Sequence, residues 1–153
     1  MSGDQPQLYL LCQVEAWLCG LPLEHIVETM RPLPVEPFVG APEFVSGLSI
    51  IRGVPLPVID TGALLGVRGC KPTRFVTIKA ENRRVVLAFD AVLGVRAIPA
   101  NSLQDLPPSL RDAGAEMISA IGALDAELLL VLRSARVVPE SVWAALELEG
   151  ASR

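Results

Sequence analysis

One histidine, His25, serves a chain of 153 residues, so acid–base chemistry near neutral pH has a single imidazole to draw on. None of the serines sits in a Gly-x-Ser-x-Gly elbow, the turn that presents a hydrolase nucleophile. Gly62, Gly66 and Gly69 lack both the Gly-Lys-Ser/Thr ending of a phosphate loop and the spacing of a dinucleotide fingerprint. The three cysteines, Cys12, Cys19 and Cys70, contain no Cys-x-x-Cys pair, and one histidine cannot complete a Cys/His zinc set. No catalytic residue, metal site or cofactor is therefore expected. Glu24 and Glu28 lie close in sequence, but a solvated strand edge accounts for them as well as a carboxylate pair would.

Positive charge is also sparse. The chain carries 13 basic and 17 acidic residues, a net charge of -4, with no dense Lys/Arg cluster and only 5% aromatics scattered along it. Nucleic acid is not an expected partner, because phosphate backbones are gripped by clustered cations. Long apolar runs are missing too. Residues 8–23 are interrupted by Gln13, Glu15, Gly20 and Pro22 and fall short of the ~20 apolar residues that span a bilayer. Residues 1–7 are polar and lack the basic start and apolar run of a secretory leader. These absences predict a cytoplasmic chain, not inserted in a membrane, with reduced and packed thiols; a Cys12–Cys19 disulfide is the less favoured reading.

What the chain does have is aliphatic bulk, with 51% hydrophobic residues to fill one core, in one or two lobes, within a single domain over residues 1–153. Its rhythm is that of hairpins. Residues 8–12 and 16–21 read as antiparallel strands about Val14 and Glu15, and His25, Ile26 and Val27 begin another. Pro32, Pro34, Pro37 and Pro42 make 31–42 an ordered loop. Residues 48–51 and 54–59 flank Arg52-Gly53, where Gly53 supplies the positive φ of a tight hairpin turn. Pro55 and Pro57, two apart, place both missing donors on one side, which suits an edge or a barrel rim. Asp60 or Thr61 is placed to cap a short helical turn closed by Gly66. Further hairpins join 74–80 to 84–89 and 118–123 to 128–132, with 90–98 as another strand. Pro139 followed by Val142, Trp143, Leu146 and Leu148 predicts a C-terminal helix. Some ten short strands and little helix define an all-β chain, for which closure into small barrels is the usual way to avoid exposed edges.

One stretch is more specific. Pro42, Phe44, Gly47, Ile51, Arg52, Gly53, Pro57, Val58 and Asp60 fall in order and spacing in a way that resembles the central signature of the CheW-like domain. Upstream, Ile26-Val27-Glu28 is similar to that family's V-x-E strand, and 85–95 to its apolar run with a V-x-x-V continuation. The resemblance implies two five-stranded SH3-like barrels sharing an apolar seam. It also implies a non-catalytic adaptor, which couples the cytoplasmic tip of a chemoreceptor to the regulatory domain of the histidine kinase CheA. On this basis the candidate partner-binding residues are Ile26, Glu28, Gly47, Arg52, Gly53, Asp60, Val92 and Val95. Val92, Val95 and Ile26 fit a receptor groove or an ordinary core equally well by residue type. Arg52 reads either as a turn arginine paired with Asp60 or Glu43, or as a partner-facing cation.

Three positions depart from the family pattern: Ile50 stands just before the apolar residue of the Arg-Gly turn, where the family often has Asn, Thr61 follows Asp60 in place of an apolar residue, and Arg133 reverses the charge after Leu132. These departures leave room for a divergent chemosensory pathway controlling pili, motility or gene expression. A reading from a different class is a small-molecule-binding regulatory barrel using the seam as its pocket.

Overall fold

The computed structural model describes residues 6–37, 39–67, 69, 71–80, 82–105, 118–125, 127–132 and 143–144. Among them are eleven strands: β1 (Pro6–Val14), β2 (Trp17–Pro22), β3 (Ile26–Met30), β4 (Val45–Ile51), β5 (Val54–Asp60), β6 (Arg74–Ala80), β7 (Arg83–Phe89), β8 (Ala91–Pro99), β9 (Leu103–Asp105), β10 (Ile118–Leu124) and β11 (Glu127–Leu132). One short helix, α1 (Thr61–Leu64), follows β5. The strands form two sheets, ordered β8-β1-β2-β11-β10-β9 and β3-β6-β7-β5-β4. Most neighbours are antiparallel, as hairpins dictate, but β11 runs parallel to β2 and β5 parallel to β7.

Alternation along the strands explains how so aliphatic a sequence builds two lobes and a seam. Side chains two apart share a face of a strand. In β1, Tyr9 and Leu11 join Leu18, Ile98, Leu129 and Val131 in a core belonging to the first sheet. The alternate residues Leu10, Cys12 and Val14 enter a larger cluster with Val76, Ile78, Val85, Leu87 and Phe89 of the second sheet. In β6, Phe75 turns the other way, into a third cluster with Ile51, Leu56, Val58, Val86 and Ala88. The two expected subdomains and their shared apolar seam are thus present, and the first sheet gains a sixth strand in β9 that the sequence did not announce.

Several local expectations shift slightly. The β1–β2 turn falls at Glu15-Ala16, with Val14 inside the strand, because Val14 is 1% exposed and its burial in the seam outweighs a place in the turn. Pro55 and Pro57 are tolerated because β7 pairs with β5 only from Val58 onward, so their stretch of β5 is locally an edge on that side. On the other side Pro57 faces Leu48, whose N–H and C=O are both turned away to Glu36 at 2.8 Å, so no ladder bond is lost. Of the expected C-terminal helix, Trp143 and Ala144 are helical; Pro139, Val142, Leu146 and Leu148 lie outside the described residues, as do Arg133 and Cys70.

Cys12 and Cys19 face each other across β1 and β2 as free thiols, each 0% exposed in the seam. Burial pushes the Cys19 thiol up to about 12, and burial together with the neighbouring Cys19 raises Cys12 as well. The reactive species is the thiolate, so both are expected to resist maleimide in the folded chain. Mass-spectrometric mapping should find them labelled only after denaturant is added; rapid native labelling of either would contradict this packing.

Candidate functional site

The β4–β5 turn is built by two residues of positive φ, Arg52 at 50° and Gly53 at 81°, as a type I′ hairpin requires. Glycine takes this conformation freely, whereas for arginine it costs about 1–2 kcal/mol. The arginine side chain then meets a carboxylate edge on: its Nε and Nη2 donate to the two carboxylate oxygens of Glu28 at 2.9 and 2.8 Å. Glu28 lies on β3, opposite Thr77 of β6. Because β3 and β4 are the two margins of the second sheet, this fork-to-fork contact links opposite edges of one sheet, which must curl until they come within a side chain's reach.

The partner of Arg52 is therefore Glu28, and neither Asp60 nor Glu43. Asp60 is at the far end of β5, where its carboxylate accepts a hydrogen bond from the Ala63 backbone N–H at 3.1 Å and caps α1. Hydrogen bonding from Arg52 holds the Glu28 carboxyl below its ordinary value, with the charges of Arg52 and Arg84 acting in the same sense and partial burial opposing them. A lowered folded-state pKa stabilises the fold at pH values above the unfolded carboxyl's pKa, and the contribution disappears as pH falls through the folded value. With Arg52 76% exposed, solvent screening keeps that contribution small. An NMR titration of the Glu28 side-chain carbonyl should show a midpoint below the usual glutamate range that moves upward in Arg52→Gln; an unchanged midpoint would mean the pair does not persist in solution.

Gly47 and Gly53 serve the backbone in different ways. At Gly53 a Cβ would meet nothing within 4 Å, so only conformation is at stake. At Gly47, with φ 148°, a Cβ would lie 2.0 Å from the Glu36 carbonyl oxygen. The proline-bearing loop crosses β4 at this point, held by the Glu36–Leu48 bridge.

The candidate residues do not converge on one place. Glu28 and Arg52 line a cleft of about 460 Å³ with Thr77, Leu56, Arg84 and Trp143. Val92 lines a second cleft, beside Arg31, Pro32 and Arg74. Val95 lines a third, with Leu93, Leu11 and Leu18. Burial separates the apolar candidates: Val95 is 49% exposed on the outer strand β8, while Ile26 and Val92 are half-buried against the seam. The sequence reading passed over Leu93, Ile50 and Val54, all about half exposed. Ile50 and Val54 adjoin the Arg-Gly turn: strand alternation sets Ile50 opposite its buried neighbour Ile51, and Val54 is the first residue of β5, at the strand's exposed end.

Residues 8–142 match the family model of the CheW-like domain. The chain belongs to the CheW-like family. It is 29% identical over 109 residues to chemotaxis protein CheW of Rhizobium meliloti (strain 1021), covering 69% of this chain and 70% of the relative. Protein FrzA of Myxococcus xanthus is 34% identical over 107 residues, 67% of this chain and 65% of its own. The fold superposes on the scaffolding protein TtCheW from Thermoanaerobacter tengcongensis with a TM-score of 0.76 at 22% identity, covering 86% of this chain and 92% of that one. This CheW-like chain is a coupling adaptor of the chemotaxis type. Among the described residues no helix is long and apolar enough to cross a membrane, and no group of three or more His, Cys, Asp or Glu is placed to hold a metal ion.

Proposed function

We propose that the chain acts in the cytoplasm as a single non-catalytic CheW-like domain over residues 1–153, holding the tip of a chemoreceptor and the regulatory domain of the kinase CheA at the same time. The observation that carries this reading is the family match across residues 8–142. Two lobes that each own a core and share a third give a rigid body with separate faces, which suits simultaneous grip. Arg52 occupies a strained turn position and is held outward by Glu28, the arrangement expected where a side chain is kept for contact and not for turn economy. Ile26, Val92 and the exposed Val95 supply apolar surface for a receptor helix, whose docking relies on a few apolar anchors and a polar register contact. Gly47, Gly53 and Asp60 act one step removed, by fixing the hairpin that carries Arg52.

The test is titration of the full chain with a cognate receptor tip and with the CheA regulatory domain, singly and together. Binding of both at about tens of micromolar or tighter, the scale of a transient module, with formation of a ternary complex, is the expected result. Failure to bind either one would end the coupling reading. The similarity to FrzA favours a second outcome, in which the chain binds a receptor of a divergent chemosensory pathway and not one dedicated to chemotaxis.

A further inference from the structure

The cleft beside the Glu28–Arg52 pair has features that coupling two proteins does not call for. Its volume of about 460 Å³ is in the range of about 300–1,000 Å³ typical of small-ligand sites. Ile51, Val54, Leu56 and Trp143 give it apolar walls. Its charged lining is three arginines, Arg52, Arg83 and Arg84, against the single carboxylate of Glu28. Arg83 is engaged with the Trp143 ring, its guanidinium 4.8 Å from the ring centroid. Arg52 spends two of its five N–H donors on Glu28, which leaves three for another acceptor. The exposed Arg84 side chain acts on the Glu28 carboxyl by charge and makes no side-chain hydrogen bond among the described residues. Thr77 also lines the cleft; it is 1% exposed, and its hydroxyl has no hydrogen-bond partner. A buried hydroxyl left unsatisfied is unfavourable, and here it belongs to a concavity whose rim is cationic.

We propose that this cleft is a binding site for a small organic anion with an apolar body, its charged end taken by Arg52 and Arg84 and its apolar end by Leu56 and Trp143. A bare inorganic anion would leave the apolar walls unfilled, and a neutral ring would leave the guanidinium donors and the Thr77 hydroxyl without an acceptor. Thr77 lines the cleft with its hydroxyl covered, out of reach of a flat protein face.

Phenyl phosphate titrated into the full chain by calorimetry tests the site, with inorganic phosphate and benzyl alcohol as the charge-only and ring-only controls. One site is expected, binding phenyl phosphate at least about tenfold more tightly than either control, since charge-assisted hydrogen bonds and ring burial each contribute on that scale. Arg84→Gln should weaken phenyl phosphate by about tenfold. Thr77→Val, which replaces an unpartnered hydroxyl with a methyl, should also weaken binding while leaving the melting temperature unchanged or raised. A structural role for Thr77 would instead lower the melting temperature and spare the ligand. The proposal is overturned if phenyl phosphate does not bind, if inorganic phosphate binds equally well, or if Arg84→Gln binds as the parent does. Should Thr77→Val fail to fold, the exposed Arg84 variant decides alone.

Discussion

Gly47→Ala is expected to prevent folding or to destabilise the chain by more than about 4 kcal/mol, the scale that marks a specific structural fault and not a routine substitution. Two separate penalties combine. The φ of 148° at Gly47 is one that residues with a Cβ avoid. More severely, the added Cβ would stand 2.0 Å from the Glu36 carbonyl oxygen, 2.7 Å from its carbon and 3.0 Å from the Pro37 Cα. All three are backbone atoms, so no side chain can rotate away. The loop cannot retreat without breaking both hydrogen bonds between Glu36 and Leu48, each 2.8 Å, and its prolines restrict the routes by which it could rearrange. Gly53→Ala provides the control, because a Cβ there meets nothing within 4 Å and only the positive φ opposes it, at about 1 kcal/mol. Urea denaturation of the two variants should separate them widely. Equal stabilities would show that the proline loop does not press on β4 as described. The comparison also bears on binding data: any loss of partner affinity in Gly47→Ala reports the fold and says nothing about a contact.

What could be read in advance was whatever depends on neighbours in sequence. The Arg52-Gly53 turn, the Asp60 cap and the hairpin of β6 and β7 are local, set by φ preferences and by the competition of short polar side chains for backbone amides. Pairings between distant segments were not legible. The parallel contacts of β5 with β7 and of β2 with β11 leave no turn chemistry to mark them, and β9 is only three residues long. The candidate site shows the same division. Glu28 and Arg52 were both singled out, yet as separate residues, since the bond between them spans 24 positions and depends on the second sheet curling its two margins together. Thr77, Arg84 and Trp143 come to the same cleft from β6, β7 and the distant C-terminal segment, and nothing in their spacing ties them to Arg52. Valines posed a different difficulty. Residue type cannot distinguish the half-buried Val92 from the exposed Val95 on one strand, and the bulge between Leu11 and Cys12 in the β1–β8 ladder displaces the simple alternation that would have separated them.

Arg52→Glu should abolish most receptor-to-kinase coupling, a drop of about tenfold or more in kinase activation, in keeping with the loss of a charged contact at a protein interface, while the melting curve stays nearly where it was. The fold should survive because the substituted side chain, Arg52, is 76% exposed and ion pairs with a solvated partner add little to stability. Glutamate also incurs much the same conformational penalty at φ 50° as arginine does. The substitution nevertheless sets two carboxylates against each other at the rim, where the pair held the sheet margins together. A loss of coupling could therefore come from a missing cation or from a sprung rim. Exchanging the charges, Glu28→Arg together with Arg52→Glu, distinguishes the two. The exchanged pair can rebuild the link between β3 and the β4–β5 turn, but it moves the guanidinium from the turn to the strand. If the pair works by closing the rim, coupling returns toward the parent level; if Arg52 itself meets a partner, the double variant stays inactive with its pair re-formed. Full coupling by the single Arg52→Glu variant would contradict both accounts, because each requires that the charge at the turn matter.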